Sequence, residues 1–75
     1  MKPVIITWVD SKGVTTGWEF KDDLQPLLPS HCTTVGFLID DAKGYKTVCQ
    51  SFGNDQIIGR MTIPSCAIIK MKILK

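Results

Sequence analysis

The sequence predicts an all-β fold, a small antiparallel sheet closing on itself, and three observations carry the prediction. Along Ala67 to Leu74, Ala67, Ile69, Met71 and Ile73 take one side and Lys70 and Lys72 the other. That strict period of two belongs to a strand and not to a helix. Two segments share the turn pattern Asp-x-x-Gly, Asp10 to Gly13 and Asp41 to Gly44, with Asp bonding the backbone ahead and Gly tolerating positive φ. Finally, Pro64 interrupts a β pattern just before the last strand, and proline cannot donate to a central ladder.

The elements follow in order. Val4 to Asp10 reads as the first strand, with Ile5, Thr7 and Val9 on one face and Val4, Ile6 and Trp8 on the other. Bulk on both faces predicts cover on both sides over part of its length. After the first Asp-x-x-Gly turn, Val14 to Phe20 is rich in Thr and aromatics and reads as a second strand, with Gly17 as a bulge or bend. Lys21 to Ser30 is irregular. Asp22 and Asp23 suit the start of a helical turn around 22–25, while Pro26 and Pro29 stop it. Leu24, Leu27 and Leu28 are expected to plug one end of the barrel.

Cys32 to Asp40 is the third strand, joined by the second Asp-x-x-Gly turn to a fourth, Tyr45 to Phe52. Gly53-Asn54-Asp55 is a further turn. Gln56 to Ile63 is the fifth strand, and Ala67 to Leu74 the last. Five or six short strands at roughly ten-residue spacing fit a sandwich or a barrel. A chain this short favours the barrel, because closure removes most edges. A 3₁₀ turn after Ile63-Pro64, carrying the chain to its final strand, is what an SH3-like or Sm-like barrel requires.

The chain has 75 residues, room for one domain, 1–75. An apolar fraction of 44% predicts a folded core and not disorder. A domain of this size buries only about 60–65% of its unfolded surface. No stretch approaches the ~18 uncharged apolar residues of a membrane span. Pro3 and Asp10 interrupt any signal-peptide pattern, so a cytosolic location is expected. Cys32, Cys49 and Cys66 form an odd set without a CxxC pair, read as three reduced, mostly buried thiols. A net charge of +2 permits a nucleic-acid partner without requiring one.

Several segments together resemble a family of small uncharacterised bacteriophage and prophage proteins. They are Ile6-Thr7-Trp8-Val9-Asp10-Ser11, Gly17-Trp18, Thr34-Val35-Gly36-Phe37-Leu38-Ile39, and Met61-Thr62-Ile63-Pro64 with Ile68-Ile69-Lys70 behind it. In that pattern Trp often stands at the position of Phe37, and Lys-Gly follows Ile-Pro where this chain has Ser65 and Cys66. The resemblance implies a phage source, hence a bacterial host cytosol, and an SH3-like shape. It implies no established activity.

Trp8 and Trp18 are the first candidate site residues. Paired across the Asp10–Gly13 turn, their rings would form a stacking platform for a base, nucleotide or peptide side chain; core packing is the plainer account. Asp10 and Ser11 would add an acceptor and a hydroxyl beside them, although turn chemistry explains both. Arg60, Lys70 and Lys72 are a candidate basic face for phosphate contact, or lysines that protect an edge strand. Asp22-Asp23 and Asp40-Asp41 read as solvated turn residues. His31 beside Cys32 lacks the spacing of a zinc site or of a Cys–His dyad. No catalytic set, metal site or cofactor is expected. Three functions are carried forward. The first is a non-enzymatic module that binds a host protein or assembles with itself as a homo-oligomer. The second is nucleic-acid binding, and the third is sequestration of a nucleotide signal between subunits as counter-defence.

Overall fold

Five runs of β-forming residues between glycine, proline and aspartate breakers become five strands in the computed structural model, which describes residues 1–75. They are β1 (Lys2–Asp10), β2 (Ser30–Asp41), β3 (Tyr45–Phe52), β4 (Ile57–Pro64) and β5 (Ile68–Ile73). Two 3₁₀ turns, Lys21–Asp23 and Ser65–Ala67, complete the regular structure. The first begins one residue earlier than the turn expected around 22–25 and overlaps it. All ladders are antiparallel, in one open sheet ordered β4-β3-β2-β1-β5.

The register explains the core. Lys2 faces Leu38 and Asp10 faces Ser30, so Val4, Ile6 and Trp8 share a face with Gly36, Thr34 and Cys32. Leu38 faces Val48, which faces Met61. Val4, Ile6, Val48 and Ile63 are the buried centre, with Trp8, Leu38, Met61, Ala67, Ile68 and Met71 packed around them. Gly36 is required here: a Cβ would lie 2.9 Å from the Cys49 carbonyl oxygen and 3.1 Å from Val48 Cβ. On the other face Phe37 meets Phe52 edge-on, with ring centroids 4.9 Å apart.

β4 and β5 have the same ladder sense relative to β1, yet only Ser65–Ala67 joins them. In a flat sheet such a connection needs a dozen or more residues. Three suffice because the sheet bends and its ends approach each other. The 3₁₀ turn touches both β1 and β3, and the Ser65 amide donates to the Gly44 carbonyl at 3.0 Å.

The sheet does not close, however. No ladder joins β4 to β5, so both keep a free edge where a closed barrel was expected. The expected strand Val14 to Phe20 is absent: no neighbouring strand pairs with the segment, and Gly17 sits at φ +79° within it. Leu24, Leu27 and Leu28 are exposed and plug nothing; Ala67 and Ile68 pack against the core instead. Ile69 also turns outward, 56% exposed, because a register shift opposite Thr7/Trp8 breaks the alternation of β5 and leaves Ile68 and Met71 facing the core.

Candidate interaction arm and groove

Residues 11–29 leave the sheet between Asp10 and Ser30 and return to it as an arm. Gly13, Gly17, Pro26 and Pro29 punctuate it, and no strand of the sheet pairs with it. The Phe20 carbonyl accepts from Asp23 N–H at 3.0 Å, and residues 14–19 make no backbone hydrogen bond. Thr15 and Glu19 on the outgoing limb and Asp23, Leu24 and Leu27 on the returning limb border a hollow of about 500 Å³. All of 11–29 is exposed.

The arm is nevertheless apolar. Trp18 is 104% exposed, Val14 97% and Leu28 70%, and Phe20, Leu24 and Leu27 are exposed as well. The molecule is elongated, measuring 55 × 22 × 21 Å with a radius of gyration of 16.3 Å. A compact chain of this length would have a radius of about 11 Å. Between Ser11 and Pro29 lie two lysines and three carboxylates, Glu19, Asp22 and Asp23. The arm is therefore net −1, and the rest of the +2 chain is net +3.

The candidate residues fall in different environments. Trp8 is half-buried against the core, and its Nε1–H donates to Thr34 Oγ1 at 2.9 Å. Trp18 is free of packing, so the two rings form no joint platform; the missing Val14–Phe20 strand is the reason. Asp10 Oδ1 accepts from the Ser11 amide at 2.8 Å, a bond between neighbours at the root of the arm, and the expected Asp10–Gly13 turn does not form. Arg60, Lys70 and Lys72 are exposed. Through the registers Cys49–Arg60, Phe37–Cys49 and Pro3–Phe37, Arg60 belongs to the face that holds Lys70 and Lys72 opposite Thr7 and Ile5. Yet Arg60 is on the β4 edge and the lysines are on the β5 edge. The 3₁₀ turn Ser65–Ala67 lies between them along the chain.

The remaining polar groups serve local structure. The Tyr45 hydroxyl donates to Asp40 Oδ2 at 3.3 Å, and Lys46 pairs with Asp41. Thr47 and Thr62 hydroxyls bond at 2.8 Å. His31 is exposed, and the Cys32 thiol donates to the Ser30 carbonyl at 3.8 Å. The three cysteines are free: Cys49 is buried, Cys32 half-buried and Cys66 exposed. No three His, Cys, Asp or Glu side chains gather as a metal site, and no helix is long and apolar enough to cross a membrane.

A second feature was not singled out from the sequence. Ser51, Phe52, Gly53, Gln56, Ile57 and Ile58 line a groove of about 700 Å³ at the tip of the β3–β4 hairpin. Its volume lies within the ~300–1,000 Å³ typical of ligand pockets. The sequence signal was the adjacent pair Ile57-Ile58, since neighbouring strand residues point to opposite faces and one core cannot bury both. No protein-family model matches the chain, and neither does any curated protein or solved structure.

Proposed function

We propose that this chain is a non-enzymatic protein-interaction module whose binding element is the 11–29 arm. One observation carries the reading: Trp18, Val14, Phe20 and three leucines stand in solvent on a segment that contributes nothing to the core. Exposed apolar patches on soluble proteins mark interaction sites. Trp is also among the residue types enriched at binding hot spots. The strand order and the three-residue 3₁₀ crossover support an SH3-like scaffold that holds the arm. A phage source, implied by the resembling segments, belongs to the same reading.

Nucleic acid is the weaker reading. Glu19, Asp22 and Asp23 flank the exposed rings, where phosphates would be repelled, and the basic residues are split between two sheet edges. Nucleotide sequestration fares no better in the hairpin groove, whose lining carries no charged residue.

A photo-crosslinking amino acid at position 18, irradiated in cells producing the full chain, tests the reading. Polypeptide adducts, to the chain itself or to another protein, are the expected result. Adducts to nucleic acid alone, or none, would reverse it.

A further inference from the structure

The molecule carries both halves of a contact. The arm presents apolar side chains, net negative charge and, over residues 14–19, backbone groups without partners. The body presents an apolar groove of about 700 Å³ beside a strand edge with no ladder. Arg60, the one cation of β4, lies two residues beyond Ile58 on that strand, and the body as a whole is net positive.

We propose that the chain associates with a second copy of itself by exchanging arms. Residues 14–20 of each arm lie along the free edge of β4 in the other copy. Trp18 enters the groove between Phe52, Ile57 and Ile58, and Glu19 is brought toward Arg60. This inference rests on the reading of the arm as the binding element and names its partner.

Three arguments favour a second copy. Two aromatic side chains bury about 300–500 Å² together, and Val14 with three leucines brings each arm toward the ~800 Å² per partner of a standard interface. A reciprocal exchange buries that surface twice, and such a self-complementary arrangement is the one a two-fold dimer requires. Charge agrees, an acidic arm meeting a basic body. The backbone agrees as well: Val14 to Phe20 has strand composition without a strand to join, and strand addition to a free edge satisfies both sides.

The test uses the full chain, purified. Sedimentation is expected to show a dimer. Trp18→Ala and Ile58→Asp should each weaken it at least about 30-fold, the scale of a hot-spot loss. Glu19→Arg should weaken it several-fold and lose less once Arg60→Glu is added. Unchanged far-UV circular dichroism would show that each variant still folds. In a mixture of isotopically light and heavy chains, a photo-crosslinker at position 18 should join peptides 51–58 in mixed pairs. Crosslinks confined to one chain, or a dimer indifferent to both Trp18→Ala and Ile58→Asp, would overturn the exchange. A chain that stays monomeric at hundreds of micromolar would overturn it too. If that monomer still gives position-18 adducts to a foreign protein, self-docking falls while the module reading stands. If no polypeptide adduct forms at all, both fall.

Discussion

The sheet body and the arm use the same kinds of residue with opposite outcomes. In the body, alternating apolar residues are tied into ladders, and Val4, Ile6, Val48 and Ile63 are buried. In the arm, Val14, Trp18, Phe20 and Leu28 are as apolar and remain in water. The difference lies in the backbone. A side chain can be buried only if the main chain beside it finds hydrogen-bond partners, because an orphaned buried amide costs about as much as a lost hydrogen bond. Lys2–Asp10 and Tyr45–Phe52 each pair with a neighbouring strand on both sides. In the arm no strand pairs with Val14 to Phe20, so its hydrophobes stay in water.

The comparison breaks most readily on the body side. Ile6→Ala removes one of the two largest fully buried side chains and should destabilise the fold by about 2–5 kcal/mol. That is a large share of the roughly 4–11 kcal/mol available to a domain of this size. Urea unfolding should show a lower midpoint with an unchanged slope. A loss under ~1 kcal/mol would mean that Val4, Ile6, Val48 and Ile63 are not the centre of the fold.

Gly36→Ala probes the same region through the backbone. Its Cβ would press on the Cys49 carbonyl and the Val48 side chain at 2.9 and 3.1 Å, and neither can withdraw without disturbing the β2–β3 ladder. A cost of about 1–3 kcal/mol is expected from overpacking, read in the same unfolding experiment. Gly44, with nothing within 4 Å of an added Cβ, is the control: Gly44→Ala should cost less.

What the sequence disclosed follows the same division. Tyr45–Phe52 has the bounds read from the sequence, and the 3₁₀ turn after Pro64 lies where the proline break put it, because alternation and turn chemistry are local signals. The arm departs from its sequence pattern for an equally physical reason. Val14 to Phe20 has strand composition, but a strand exists only if another pairs with it, and pairing is not a local property. Ile69 was placed inward because nothing in the sequence of β5 announces a register shift that arises opposite Thr7 and Trp8. Trp18 was chosen as a site residue for its chemistry, and the structure adds the exposure. The Phe52–Ile57–Ile58 groove depends on how a hairpin tip bends, which only the Ile57-Ile58 doublet hinted at.

Removing the arm sharpens the comparison from the other side. Asp10 and Ser30 are register partners, so an Asn-Gly type I′ turn replacing Ser11 to Pro29 would close β1 and β2 as a tight hairpin. Since no core residue comes from the arm, the body should fold without it. Shortening the closed loop about tenfold should add up to about 2 kcal/mol by loop entropy. A cooperative thermal transition at an equal or higher midpoint is the expected result. An unfolded product would mean that the arm packs on its own body after all.

The smallest effect expected is the most discriminating. Trp18→Ala, compared with the unaltered chain at concentrations dilute enough that both sediment as monomers, should change unfolding free energy by less than about 0.5 kcal/mol, since a ring 104% exposed loses no contact. Its fluorescence should change far more. Trp8 is then the one indole left, half-buried and hydrogen-bonded to Thr34, so acrylamide should quench the remaining emission less efficiently than it quenches the native chain. A stability loss above ~1 kcal/mol in the dilute monomer would place Trp18 in contact with its own sheet. It would remove the contrast between arm and body, and with it the reason for assigning the ring to a partner.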